Sequence, residues 1–454
     1  MMRRTVLCLI LSTMPFLAGA DSSRLSAQGI KTTFEALRQL AASSPETISC
    51  VYRAYPAPSP LNKQHSKSAN GNVRHSAPKG YQPVFLSHYG RHGSRFLTDD
   101  ERYISLIELF ESHPLTPAGM EVLRRLAICY EQARGRGGDL TPLGEEQHRG
   151  IAERMFRLHP QLFGSTTTLN VYASTSRRCM MSMMAFCERL KELNPRLTLR
   201  RDVCEGNMDM ITCSMPQQKT LLKDTTLASC KAFKAFCQKH EHTSAFFARL
   251  FQQPDSVTRQ YYWMEQFYLL AQDMQDCGRP TELLSFMTAD EIYSVWNIKN
   301  CGMYLANGDS PLSGDIPARC ADSLLDHIIG DADKAIHEGR GGATLRFGHD
   351  TALLRLLSRM GVTECCPSSS DMDTLPLVWQ DYNISPMAAN LQIIFYQNKQ
   401  GDVLAQFLLN ENEVHLPLPA VNNSFYRWKE IKELWKTRKQ TSVGQYVPCS
   451  SRQQ

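Results

Sequence analysis

Three short apolar runs, each cut off by glycine, arginine, histidine or aspartate, constrain this chain more than any other feature. Val84, Phe85 and Leu86 lead into Gly90-Arg91-His92-Gly93. Leu169 to Ala173 leads into Ser174, Thr175, Arg177 and Arg178, and Thr344 to Phe347 leads into Gly348-His349-Asp350. Runs this short and continuous read as strands buried on both faces. Helical stretches follow the second and third. In the third, Ala352, Leu353, Leu356, Leu357 and Met360 recur at helical spacing before a Gly361 stop. Ligands of open α/β sheets collect beyond the carboxyl ends of the strands, where helix N-termini present free amides. If the three strands are neighbours, Arg91, His92, Arg95, Arg178, His349 and Asp350 meet at one spot. The expected class is α/β, with a cationic site that has a carboxylate at its edge.

The rest of the chain divides by composition. Residues 1–20 carry a positive start (Arg3, Arg4), an apolar stretch and the small residues Ala18-Gly19-Ala20, the pattern of a cleaved export signal. The apolar run is short for ~30 Å of hydrocarbon, and no later segment offers a spanning run, so no integral membrane segment is expected after cleavage. Residues 21–80 read as a helix ending near Ser43-Ser44-Pro45, then an extended arm rich in Pro, Ser, Asn and Lys. Lys79 and Arg74 in that arm read as solvent-exposed charges. Residues 81–200 and 341–454 form the two parts of an α/β core. Residues 201–340, with long helical patterns and almost no strand signal, read as an α-helical cap inserted between them. Leu391 to Tyr396 and Leu404 to Leu409 suggest a strand pair around Asn398-Lys399-Gln400-Gly401, with a turn at Asn410-Glu411-Asn412. Leu115 to Gly119 and Leu140 to Gly144 both look like Thr-capped, Pro-initiated helix starts.

Charge and cysteine usage narrow the partners. The 50 Lys and Arg exceed the 45 Asp and Glu by five, and by three without Arg3 and Arg4. That excess is too small for a nucleic-acid-coating protein, and no basic aromatic stripe appears, so a small-molecule partner is expected. Cys8 leaves with the signal, and 14 of the 15 cysteines remain. In an oxidising compartment, periplasmic, extracellular or at the cell surface, disulfides are expected in the middle of the chain. No CxxC pair or Cys/His cluster has zinc spacing, so no metal or other cofactor is expected. Met180, Met181, Met183 and Met184 read as core packing. His88, inside the first strand, reads as structural.

The converging residue types suit one chemistry. A phosphate monoester is a dianion with a poor leaving group. Its cleavage calls for fixed cations on the non-bridging oxygens, an in-line nucleophile, and an acid for the departing alkoxide. Arginine grips phosphate oxygens bidentately and stays charged. An imidazole among arginines is kept unprotonated and nucleophilic. A carboxylic acid near the leaving oxygen completes the set.

At these residues a resemblance emerges. SHYGRHGSRF at 87–96 resembles the RHGxR signature of the histidine acid phosphatases, within the histidine phosphatase superfamily, and most resembles the multiple inositol polyphosphate phosphatase branch with its bacterial phytases. The likeness continues through LTPLGEEQHRGIAERMF, STSRRCMMS, LRFGHDTALLRLLSRMG and SPMAANLQIIFYQNKQGDVLAQFLLNENEVHLPL, and is weak in the insert. It implies a phosphoglycerate-mutase-like α/β core with a mostly α-helical inserted cap. It further implies that His92 becomes phosphohistidine, that Arg91, Arg95, Arg178 and His349 hold the phosphoryl oxygens, and that Asp350 protonates the leaving group. The substrate implied is an inositol polyphosphate such as phytate, with 2,3-bisphosphoglycerate a further candidate. Alternatives are a broad acid or sugar phosphatase, a phosphoglycerate-mutase-type phosphotransferase, and an inactive anion-binding protein. One departure stands out. The inositol polyphosphate branch commonly has His-Ala-Glu where this chain has His349-Asp350-Thr351, so a shorter donor one position earlier is expected to change which ester is reached.

Overall fold

A computed structural model describes residues 27–56 and 75–441, apart from 165–166, 244, 280 and 340. The export signal at 1–20, Arg74 and most of the extended arm lie outside the described residues. Lys79 is exposed, as expected of a solvated charge.

The continuous apolar runs become the middle of one eight-stranded sheet. Its strands are β1 (Gln82–Arg91), β2 (Thr168–Ala173), β3 (Thr198–Asp202), β4 (Ala343–Gly348), β5 (Asn390–Gln397), β6 (Val403–Leu409), β7 (Asn412–Val414) and β8 (Phe425–Arg427). The order is β3-β2-β4-β1-β5-β6-β7, with β8 also on β6. The three strands that end in polar residues are therefore adjacent and parallel, as β2-β4-β1. Their register aligns the ends: Arg91 is opposite Gly348, and Ala173 is opposite Phe347. Strands β5 to β8 are antiparallel additions. Asn410 and Glu411 both take positive φ between β6 and β7, the geometry of a tight hairpin turn.

Fifteen helices flank or cap the sheet among the described residues. They begin with α1 (Ala27–Ser43), α2 (Glu101–Glu111), α3 (Pro117–Ala133), α4 (Pro142–Leu158) and α5 (Arg177–Leu193). The insertion holds α6 (Asp209–Thr212), α7 (Ala228–His240), α8 (Phe246–Leu250), α9 (Gln260–Asp273), α10 (Ala289–Asn307), α11 (Ile316–Arg319) and α12 (Asp322–Glu338). The chain continues with α13 (Asp350–Met360), α14 (Asp381–Ile384) and α15 (Trp428–Thr441). The two Thr-Pro starts behave as their chemistry dictates: Thr116 accepts from the Gly119 amide at 3.1 Å, and Thr141 from the Gly144 amide at 3.3 Å. Gly361 ends α13 with φ +72°.

Strand alternation sends β5 Ile393 and Phe395 to one side and Ile394 and Tyr396 to the other. On the first side they meet α12, α13 and α15; on the second, α4 and α5. A third apolar cluster joins α1, α2 and α3 to α8, α9 and α10. No helix among the described residues is long and apolar enough to cross a membrane.

Two expectations are corrected. The methionine run is not a core unit. Only Met183 is buried, while Met181 and Met184 are 39% and 51% exposed. Helix α5 turns Cys179, Met183, Phe186, Cys187 and Leu190 inward, and consecutive positions cannot share that face. The expected disulfides are not formed among the described residues, where all thirteen cysteines are free thiols and nine are buried. The buried ones act as small core side chains, and the sulfurs of Cys179, Cys320 and the half-buried Cys366 lean on the carbonyls of Gly348, Ile316 and Leu357.

Candidate active site

The carboxyl end of β1 turns sharply through His92, Gly93, Ser94 and Arg95 because it packs against the start of α4. A Cβ on Gly93 would come within 2.6 Å of the Gly144 carbonyl oxygen, and one on Gly144 within 2.3 Å of that of Ser94. Only glycine fits either position without moving backbone. The His92 amide donates to the Gly348 carbonyl at 3.0 Å, and its carbonyl accepts from the Ala388 amide at 2.9 Å. The ring is fixed as well. Nδ1 lies 2.9 Å from the Gly93 carbonyl oxygen, which can only accept, so Nδ1 carries the proton and Nε2 keeps its lone pair. Burial, then Arg91, Arg178, Arg95 and His349, hold the imidazole well below its usual pKa.

Each arginine is anchored by part of its fork. Arg91 is 1% exposed; its Nη1 donates to the carbonyls of Val51 and Ser385, and its Nη2 lies 3.4 Å from Asp350 Oδ2. Arg95 donates from Nη1 to Asp273 Oδ1 and to the Phe96 carbonyl, both at 3.0 Å, and packs 5.0 Å over the Tyr52 ring. Arg178 sits half-buried in the first turn of α5 and acts electrostatically on both His92 and His349. Its neighbour Arg177 turns to the surface and pairs with Asp139 at 3.1 Å. The buried Nε groups of Arg91, Arg95 and Arg178 have no partner among the described residues. Three such donors in one place are costly unless an anion takes them up.

The end of β4 supplies the other wall. His349 precedes α13, its ring 5.7 Å from that of His92 and its Nε2 3.2 Å from Ser174 Oγ. Burial, followed by Arg178, lowers its pKa to about 4. Asp350 is the first residue of α13 and accepts the Thr351 amide at 2.7 Å. Burial alone would raise this carboxyl, but Arg91, His349 and Arg95 outweigh it and hold the pKa below the ordinary value. All six residues singled out in the sequence thus border one spot. His88 does not reach it: it lies between the rings of Phe186 and Phe347, its pKa lowered by burial to about 3.

The site also uses residues that sequence reasoning passed over. Tyr52 and the Val51 carbonyl come from the segment before the arm, Ser174 from the end of β2, and Asp273 from the insertion. Only Ser174 had a local signal, its place at a strand end. Beside α13 opens a cavity of about 910 Å³. Thr351 and Arg355 line it from the core, and Arg259, Lys299, Glu241 and Glu265 from the insertion, among aromatic and aliphatic side chains.

No protein-family model matches the sequence. Multiple inositol polyphosphate phosphatase 1 of Gallus gallus is 22% identical over 396 residues, covering 79% of this chain and 82% of that protein. Among solved structures, the multiple inositol polyphosphate phosphatase of Bifidobacterium longum, in complex with inositol hexasulfate, superposes with a TM-score of 0.73 at 18% identity over 88% of this chain and 99% of the other. The phytase from D. castellii does so with a TM-score of 0.63 at 14% identity, over 91% and 90%. The chain therefore has the histidine acid phosphatase fold, and its sequence similarity to a multiple inositol polyphosphate phosphatase covers 79% of its length.

Proposed function

We propose that this protein is an exported phosphomonoesterase acting on inositol polyphosphates through a phosphohistidine. The observation that carries this reading is the His92 ring, held with its Nε2 lone pair available among Arg91, Arg95 and Arg178 and beside His349, with Asp350 paired to Arg91 at 3.4 Å. Nε2 attacks phosphorus as the P–O ester bond breaks, and the departing oxygen takes its proton from Asp350. Water then attacks phosphorus, Asp350 accepts its proton, the P–N bond breaks, and phosphate leaves with His92 neutral again. Arg91, Arg95, Arg178 and His349 carry the charge on the non-bridging oxygens, so the chain's own side chains supply the positive field. Asp350 is below the ordinary carboxyl value in the free protein. A bound phosphoryl dianion offsets the pull of the arginines and lets the carboxyl hold its proton, which favours an acidic optimum.

The cavity favours a second reading on substrate choice. Two carboxylates stand against three cations there, and Lys299 is already paired with Glu265 at 2.8 Å. Such a lining also suits a leaving group with fewer phosphates, as in a broad acid or sugar phosphatase. Both questions are settled by phosphate release from inositol hexakisphosphate and from an aryl phosphate at equal concentration. Preference for the former supports the first reading, and equal or reversed rates support the second. Persistent turnover by His92→Ala would end both.

A further inference from the structure

Two carboxylates from the insertion stand behind the β1 turn. Asp273 closes α9 and Asp276 lies in the short 3-10 turn after it (Met274–Cys277); both are wholly buried. Asp273 Oδ1 accepts from Arg95 Nη1 at 3.0 Å. Asp276 Oδ1 accepts from Ser94 Oγ at 2.7 Å. Ser94 is held from the other side by Gln147, whose Oε1 takes the Ser94 amide at 2.9 Å and whose Nε2 donates to Ser94 Oγ at 2.8 Å. The second oxygen of each carboxylate has no hydrogen-bond partner among the described residues.

The charge balance is uneven. Two buried carboxylates face one guanidinium in direct contact, and an unpaired buried charge is expensive. Burial raises both carboxyls, and the charge of Asp273 raises Asp276 further. Arg95, Arg102 and Arg91 pull the other way, while Tyr103 and Cys277 stand nearby with their own pKa values raised by burial.

We propose that Asp273 and Asp276 are positioning residues that, by holding Arg95 and Ser94 from behind, set how tightly the β1 turn grips a phosphoryl group. This rests on the phosphatase reading and deepens it: the insertion tunes phosphate affinity without touching substrate. Because Arg95 would meet non-bridging oxygens in ground and transition states alike, loosening it costs binding more than turnover.

The test uses the full chain and inorganic phosphate as the probe, titrated by calorimetry into wild type, Asp273→Asn, Arg95→Ala and the double variant. Asp273→Asn raises the phosphate Kd at least tenfold, and the double variant binds within twofold of Arg95→Ala alone. In steady state with an aryl phosphate, Asp273→Asn raises KM about tenfold while kcat changes less than threefold. Partial unfolding would do the reverse, lowering kcat and sparing KM. Should Asp273→Asn fail to fold, the double variant, which removes both charges, still gives the comparison with Arg95→Ala. A Kd within twofold of wild type for Asp273→Asn, or a double variant weaker than Arg95→Ala by a further tenfold, overturns the inference alone. Failure of the wild type to bind phosphate overturns the phosphatase reading and the inference together.

Discussion

Nη2 of Arg91 lies 3.4 Å from Oδ2 of Asp350, joining the last residue of β1 to the first residue of α13. The contact puts the proposed proton donor beside the nucleophile's own strand end, and it keeps the carboxyl ionised until a dianion competes for the arginine.

Asp350→Asn should therefore discriminate by leaving group. An alkyl phosphate needs its departing oxygen protonated, whereas a nitrophenolate leaves unaided. We expect kcat/KM for inositol or alkyl phosphates to fall by ~100-fold or more, within the range of lost general-acid catalysis, and that for p-nitrophenyl phosphate by ~10-fold or less. Equal losses on the two substrates would remove Asp350 from the donor role.

The neighbours Arg177 and Arg178 should separate cleanly. Arg178→Ala removes a half-buried charge that acts on both histidines and should lower kcat/KM by ~100- to 1,000-fold, the scale of a lost transition-state contact. Arg177→Ala breaks an exposed pair with Asp139 and should stay within about threefold, since such pairs contribute little. Steady-state kinetics on both variants decides it, and the opposite ranking would move the site's third cation to Arg177.

Acid should weaken the fold through two buried histidines near the site. His88 and His148 are buried against Phe186 and Phe347, and burial lowers both to about 3, with His148 and Arg346 adding to the effect on His88. Their folded values lie below the ordinary 6.5, so between those limits the native state binds fewer protons than the unfolded chain. Their contribution is complete above pH 6.5 and is lost as pH falls toward 3. His148→Leu should flatten the pH dependence of unfolding free energy by about one proton, roughly 1.4 kcal/mol per pH unit in that window. Urea denaturation from pH 4 to 7 measures the slope, and an unchanged slope would mean that His148 is not held neutral.

What the sequence revealed was local in origin. The ends of β1, β2 and β4, the Thr116 and Thr141 caps and the Gly361 stop all follow from runs of adjacent residues, and adjacency of the three strands then gathered Arg91, His92, Arg95, Arg178, His349 and Asp350. Tyr52 and Asp273 had no such signature. They reach Arg95 from segments 43 and 178 positions away, just before the arm and on an insertion, whose patterns only say helix or loop. The methionine run misled because composition was read without phase: α5 buries Met183 and turns Met181 and Met184 out. Even cysteine numbers suggested pairing, but the described cysteines are all free thiols, nine of them buried.

The anchors of the arginine forks come from far-flung stretches of chain: the Val51 carbonyl, the β1 turn, Asp273 of the insertion and the Ser385 carbonyl near the other end. A nascent or clipped polypeptide lacking any of these stretches has arginines but no fixed grip. Turnover should accordingly behave as an all-or-nothing gauge of completed folding, silent in every fragment and restored only when severed pieces reassemble.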